Sequence, residues 1–229
     1  MDMSYKEKRK RLIESLIERK ILTKKSIINA MLKVPREEFL PEKAKSSAYI
    51  DSPLSIGSGQ TISAPHMNAM MCEILDLEEG DKLLEIGTGS GYHAALCAEI
   101  ITTKNRENLG HIYTIERHEK LAEMAKNNLK KTGYENRVTV IVGDGTLGHP
   151  EKAPYDKILV TAASPKKIPP PLKKQLKIGG ILCIPAGTKN YIQNLYKIRK
   201  LEGEFKTKTI TGVRFVPLIG YYGFSNDEE

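Results

Sequence analysis

Leu83-Leu84-Glu85-Ile86-Gly87-Thr88-Gly89-Ser90-Gly91 decides the fold of this chain. Its apolar opening, with the β-branched Ile86, suits a buried central strand of a parallel sheet. Three alternate glycines let the backbone turn tightly and approach a ligand. The following Tyr92-His93-Ala94-Ala95-Leu96-Cys97-Ala98-Glu99-Ile100 has helical composition. Strand, glycine turn and helix together build a nucleotide-type pocket at the strand's carboxyl end. Glu85 says what sort of ligand fits there. In a dinucleotide site the glycines and the helix N-terminus receive a pyrophosphate, which is an anion. A carboxylate at that mouth repels an anion and favours a cation. The bland alternative, an incidentally buried Glu, is costly because an unpaired carboxylate is seldom buried.

The glycine spacing points the same way. It is Gly-x-Gly-x-Gly, with Tyr92 and His93 where a dinucleotide fingerprint seeks its third glycine. The Glu-x-Gly-x-Gly-x-Gly form resembles the donor motif of class I methyltransferases, whose donor S-adenosylmethionine carries a sulfonium and an ammonium. That resemblance implies a Rossmann-like α/β fold with a mostly parallel, doubly wound sheet.

The 229 residues fit one α/β domain with a short N-terminal extension. A content of 40% hydrophobic and 28% charged residues is ordinary for a soluble globular protein. No apolar run approaches the ~20 residues that cross a bilayer, and the lysine-rich start leads into an amphipathic pattern instead of a signal-peptide core. Cys72, Cys97 and Cys183 show no Cys-x-x-Cys spacing and sit in apolar contexts, which predicts buried free thiols and a cytoplasmic setting. The net charge of +8 comes mostly from lysines scattered over predicted helix faces, a solvated surface and not a specific nucleic-acid site. No metal is expected, because no His/Cys/Asp cluster has metal-ligand spacing in the sequence. Nothing fixes an oligomeric state, and a monomer is the default expectation.

Along the chain, the pattern predicts helices over 6–20 and 24–33, then a break at Val34-Pro35-Arg36-Glu37-Glu38-Phe39-Leu40-Pro41. Residues 42–64 read as a long Ser/Gly/Pro-rich loop of the kind that forms lids and binding loops. Helices are expected at about 65–76, 91–101, 118–131 and 169–177, with Gly133 a C-cap and Gly179-Gly180 closing the last. Strands are expected at 82–87, 111–116, 138–142, 156–161 and 181–185. Residues 191–200 and 205–211 read as an antiparallel pair at the sheet edge, and 225–229 as a frayed tail. The organisation is one domain over 1–229, with helices and substrate loop in 1–64, the donor-binding core in 65–190 and C-terminal strands in 191–224.

Three acids fall at successive strand ends, where such sheets bind ligands: Glu85, Glu116 and Asp144. Glu116 suits a ribose, since one carboxylate accepts from both hydroxyls. Asp144 suits an adenine amino group. Their bland readings are an ion pair with Arg117 and a turn chosen for backbone geometry. The acceptor is narrowed by absences. Thr161-Ala162-Ala163-Ser164-Pro165 stands where adenine N-methyltransferases carry Asp/Asn-Pro-Pro-aromatic, and Cys183 lies inside an apolar strand, unlike a cytosine-attacking nucleophile. With no strong base in view, an acceptor already ionised at neutral pH fits best, and a carboxylate is one.

Ser52-Pro53-Leu54-Ser55-Ile56-Gly57-Ser58-Gly59-Gln60-Thr61-Ile62-Ser63-Ala64-Pro65-His66-Met67 strongly resembles the signature of protein-L-isoaspartate O-methyltransferases. Val34-Pro35-Arg36-Glu37-Glu38-Phe39, the donor loop through Tyr92, Gly143-Asp144-Gly145, Ala153-Pro154-Tyr155-Asp156, Gln175-Leu176-Lys177-Ile178-Gly179-Gly180 and Val213-Arg214-Phe215-Val216-Pro217-Leu218 are also similar, so the likeness runs over roughly residues 23–222. The resemblance implies repair. Damage leaves the main chain on an aspartyl side chain and frees the α-carboxyl; methylation of that carboxyl, from S-adenosylmethionine with S-adenosylhomocysteine as product, lets a succinimide close and partly hydrolyse to normal Asp. Partners are then isoaspartyl proteins and, as an open point, D-aspartyl ones.

The same resemblance makes Ser63 the catalytic serine that aims the carboxylate; its alternative is a helix N-cap. It implies donor contacts from Ile62, His66, Glu85, Gly87, Thr88, Gly89, Gly91, Glu116, Arg117, Asp144, Gly145 and Thr161. Substrate contacts come from Thr61, Ser63 and the main chain of Val213, Arg214 and Phe215, by strand-like hydrogen bonds. Met67, Met70 and Met71 read as core. His93, where many members carry Gln, and a longer stretch at 100–108 depart from the family pattern. The family's last strands are rearranged relative to other class I methyltransferases. The other classes left open are a different methyltransferase, a nicotinamide oxidoreductase, and a non-catalytic adenosyl-ligand or RNA-binding module.

Overall fold

The computed structural model describes residues 3–102, 110–189 and 191–225. Two amphipathic helices open the chain, α1 (Tyr5–Glu18) and α2 (Lys25–Lys33). A capping box starts α1: Ser4 Oγ accepts the Glu7 N–H, and the Glu7 carboxylate accepts the Ser4 N–H at 2.9 Å. Two short 3-10 turns follow, at Arg36–Phe39 and Glu42–Ser47. The predicted loop over 42–64 then differs from expectation. It holds an antiparallel hairpin, β1 (Leu54–Gly57) and β2 (Gln60–Ile62). Gly57, Ser58 and Gly59 all have positive φ, so two glycines carry a turn too tight for most residues.

The α/β core follows in the predicted alternation: α3 (Pro65–Leu75), β3 (Lys82–Ile86), α4 (Tyr92–Ile101), β4 (His111–Glu116), α5 (Glu119–Thr132) and β5 (Val138–Val142). Gly133 caps α5 in the left-handed conformation, as its sequence position indicates. Next come β6 (Tyr155–Val160), a two-residue β7 (Ser164–Pro165) and α6 (Pro170–Gln175). The chain ends with β8 (Leu176–Gly187), β9 (Gln193–Lys200) and β10 (Phe205–Val213). Gly179-Gly180 does not close α6. It sits inside β8, where the register against β6 shifts between Tyr155 and Lys157. A Cβ at position 180 would lie 2.8 Å from the Asp156 carbonyl, so glycine lets the two strands approach.

Strand order is β10-β9-β8-β6-β3-β4-β5, with β7 on β8. Strands β5, β4, β3, β6 and β8 are mutually parallel; β9 and β10 add antiparallel at one edge. Alternate residues divide the core. Leu83, Ile112, Leu159 and Ile181 face a cluster with residues from α1 to α5, whereas Leu84, Ile115, Ile158 and Leu182 face the cluster containing Leu172 of α6. The chain leaves β3 toward β4 and β5, then returns to place β6 on the other side of β3. That reversal opens a crevice above the carboxyl ends of β3 and β6.

The tail of the predicted insertion at 100–108, from residue 103, and the tail from 226 lie outside the described residues. Among the described residues, no helix is long and apolar enough to cross a membrane.

Candidate active site

A cavity of about 480 Å³ occupies the crevice. The donor loop supplies Gly87 and Gly89, β4 and its turn supply Ile115, Glu116, Arg117 and His118, and Gly145 and Thr161 complete the wall. Gly87 has φ +95°, and a Cβ there would meet Thr161 Oγ1 at 2.4 Å. Thr161 Oγ1 donates to the Gly87 carbonyl at 2.7 Å, which ties the end of β6 to the donor loop. Glu116 is fixed by main-chain donors: Gly89 N–H at 2.9 Å and His118 N–H at 3.0 Å. It therefore holds the loop and lines the cavity with the same carboxylate.

Behind the loop, Glu85 is fully buried and lines none of the cavities described here. It accepts from Thr114 Oγ1 at 2.6 Å, and Thr114 in turn meets Thr88 Oγ1 at 2.7 Å. Burial pushes the Glu85 carboxyl up to about 7, with His93 and Thr114 pulling the other way. Asp144 lies beside the cavity, engaged by Thr146 N–H and Oγ1 at 2.8 and 2.7 Å and by Tyr221 N–H at 2.7 Å. Gly91 does not line the cavity; it starts α4 in the left-handed region and packs against α5.

A second cavity, about 610 Å³, joins the first at Thr61, Thr161 and Lys189. It is lined by Ser63, His66, Met67, Val213, Arg214 and Phe215 among others. Ser63 is not the N-cap of α3. Ala64 holds that position, without a side-chain cap bond. Asp51 does the capping instead, accepting both His66 N–H at 2.9 Å and His66 Nδ1 at 2.8 Å on one oxygen. Arg19 holds the other oxygen at 2.8 Å. Burial opposes ionisation of Asp51, but Arg19 and His66 keep its carboxyl below the usual value. The Ser63 hydroxyl has no protein partner among the described residues and is open to the cavity. His66 and Ser63 thus line the second cavity, and Ile62 is core with one edge on a small cavity under the loop. Met71 is core as expected, while Met67 also reaches the cavity wall.

Val213 ends β10, an edge strand that pairs, among the described residues, only with β9. Its outer side offers main-chain groups to an extended peptide. Phe215 N–H is already taken, donating to Gln193 Oε1 at 2.9 Å. The following segment folds back over β6: Ala163 N–H donates to Val216 at 2.8 Å, and Leu218 N–H donates to Ala163 at 2.7 Å. That strap carries Val216, Pro217, Leu218 and Ile219 into the first cavity.

Arg36 is the largest omission of the sequence reading. Its guanidinium is fully buried. It donates to Ala48 O at 2.9 Å, Ser63 O at 2.8 Å and Asn68 Oδ1 at 3.3 Å, and lies 5.0 Å from the Tyr92 ring centre. Two stretches, at Ala48 and at Ser63–Asn68, meet on this one side chain, which pins the main chain of Ser63 to the core.

A family model for protein-L-isoaspartate(D-aspartate) O-methyltransferase matches residues 7–222. A protein-L-isoaspartate O-methyltransferase of Hyperthermus butylicus is 52% identical over 227 residues, covering 98% of this chain and 93% of that protein. One from Archaeoglobus fulgidus is 53% identical, covering 99% of this chain and 100% of its own length. A Plasmodium falciparum structure described as such a methyltransferase, in complex with S-adenosyl-L-homocysteine, superposes with a TM-score of 0.80 at 30% identity, over 92% of this chain and 98% of that one. With a parallel core, an antiparallel edge and this agreement along nearly the whole chain, the protein belongs to the protein-L-isoaspartate(D-aspartate) O-methyltransferase family.

Proposed function

We infer that this protein repairs damaged proteins by transferring a methyl group from S-adenosylmethionine to the free α-carboxylate of L-isoaspartyl residues. The observation that carries the reading is the contrast between the two joined cavities. The donor cavity presents the Glu116 carboxylate, with Arg117, His118 and the shared Lys189 also in its wall. The other is lined by His66, Lys189 and Arg214 and, among the described residues, by no Asp or Glu. The first thus offers a carboxylate to ligand hydroxyls, whereas the second offers only groups that suit an anion.

The donor cavity fits an adenosyl ligand. Its glycine cradle is closed to a Cβ by Thr161 and, at Gly145, by Ile86. Glu116 is anchored by two main-chain donors and keeps acceptor capacity for ribose hydroxyls. Ile86, Ile115 and Gly145 line an apolar slot for a flat base, with Asp144 beside it for an amino group. Glu85 sets a buried acid behind the loop. Bound there, the donor supplies an electrophilic methyl on a cationic sulfur.

On the acceptor side, the Ser63 hydroxyl donates to one carboxylate oxygen and aims the other at the methyl group. Arg36 holds the Ser63 main chain, and Asp51 holds His66 and the start of α3. The β10 edge and the strand-like segment after it keep the peptide extended. The carboxylate is already ionised, so the protein's task is alignment and exclusion of water, with no proton to remove.

Loss of Glu116 tests the donor half. Glu116→Ala is expected to weaken S-adenosylmethionine binding by about 1–3 kcal/mol, roughly 5- to 150-fold, through lost ribose bonds and a loosened loop. Calorimetry reads this directly; wild-type affinity in the variant would remove Glu116 from the donor site.

A further inference from the structure

A cluster of soft ligand atoms lies in the core, unused by the methyl transfer. Cys72 on α3 and His93 and Cys97 on α4 bring two thiols and an imidazole within 4.8 Å of one another. All three side chains are buried. His93 and Cys97 stand one helical turn apart, so a single face of α4 presents both toward α3. Their helices pack within the same core cluster, which fixes the arrangement.

The geometry matches coordination distances. Zinc–sulfur bonds of ~2.3 Å and zinc–nitrogen bonds of ~2.0–2.1 Å set the sulfur-to-nitrogen edge of a tetrahedral site at about 3.6 Å. The His93 nitrogen and Cys72 Sγ are 3.4 Å apart. That edge already matches, and the other edges of the cluster are no longer than 4.8 Å. Charge argues the same way. Two thiolates and a neutral imidazole cancel a divalent cation, so the filled cluster brings no net charge into an apolar interior. Thiolate and imidazole donors favour zinc over magnesium or calcium.

Two independent polar atoms at this part of the core lack partners: His93 Nδ1 and Glu85 Oε1. Glu85 lies on the adjoining β3 and acts electrostatically on His93 and on both thiols. Glu85 stands outside the cluster of three ligand atoms, whose fourth position is left to a water.

We propose that Cys72, His93 and Cys97 bind a zinc ion between α3 and α4, behind the donor loop. Coordination releases the thiol protons to solvent and leaves both sulfurs reduced. The ion's effect is structural. His93 also borders a small cavity formed with Gly87, Thr88, Gly89, Ser90 and Ser63, so the ion stiffens the base of both ligand sites.

The test uses the full-length protein, reduced, purified from zinc-supplemented culture and, separately, refolded with Co2+ alone. One zinc per chain is expected after dialysis. The Co2+ form should show a thiolate-to-metal charge-transfer band and tetrahedral d–d bands. Both signals should vanish in Cys72→Ser/Cys97→Ser and persist in Cys183→Ser. If the double variant fails to fold, His93→Gln serves, with at least a tenfold loss of zinc affinity against a chromophoric chelator. Reduced wild-type protein that takes up no zinc, or Co2+ spectra without a thiolate band, would overturn the proposal and leave a hydrogen-bonded thiol–imidazole cluster. Neither outcome depends on methyl transfer, so the repair reading stands or falls separately.

Discussion

Ser63→Ala is expected to lower kcat/KM for an isoaspartyl peptide by about 100-fold, the order of loss that follows when a reacting group is misaligned by roughly an ångström. The fold should hardly notice. Ala64 is the N-cap of α3, Asp51 supplies the capping acceptor, and the Ser63 hydroxyl bonds nothing in the protein among the described residues. The thermal midpoint should therefore move by no more than about 2 °C, since exposed or unpartnered groups contribute little. Donor affinity should stay unchanged, because Ser63 lines the acceptor cavity and touches the donor side only under the loop. Ser63→Gly should behave alike. A serine that mattered as a cap would show the reverse, with stability lost and turnover kept. Steady-state kinetics beside thermal melts separate the two, and near wild-type turnover at saturating peptide would end the catalytic assignment.

The largest effect on stability should come from Arg36→Met. Three acceptors on two stretches of chain lose a charged donor around a buried guanidinium: Ala48 O, Ser63 O and Asn68 Oδ1. Charge-assisted bonds contribute about 1.5–3 kcal/mol each, offset by the desolvation that the guanidinium no longer suffers, so a net loss of about 3 kcal/mol is expected. For a chain of this size that corresponds to a midpoint lowered by about 6–12 °C. Activity should fall further than stability accounts for. Measured well below the melting transition, kcat should drop while donor affinity holds, because Arg36 fixes the Ser63 main chain. Arg36→Lys should recover little, since a point charge cannot reach three divergent acceptors. Full activity in the folded fraction of Arg36→Met would mean that the Ser63 segment positions itself.

What was legible in the sequence was local. The pattern of apolar and β-branched residues placed β3 through β6 within a residue or two; β3 and β6 are largely buried, whereas the edge strand β5 is half exposed but keeps its Val/Ile run. Glu85, Glu116 and Asp144 could be placed at strand ends for the same reason. The hairpin of β1 and β2 was missed because strands of four and three residues around a glycine turn carry little periodicity. The bulge in β8 was misread as a helix stop because glycine serves both purposes. Arg36 entered only as part of a similar motif, and Asp51 not at all. Their roles depend on Ala48, Ser63, Arg19 and His66 converging from other segments, and no spacing rule encodes that convergence. Sequence marked the closing segment through Leu218 only by resemblance; its place in the cavity wall comes from its bonds to Ala163.

The central claim is that the acceptor is the displaced α-carboxylate of isoaspartate and not carboxylates in general. A peptide containing one isoaspartyl residue and its normal aspartyl twin differ only in which carboxyl is free. Incubation of each with the protein and methyl-labelled S-adenosylmethionine, followed by counting base-labile methyl ester, tests the claim most directly. The account predicts label in the isoaspartyl peptide and background in its twin; equal labelling of both would contradict it.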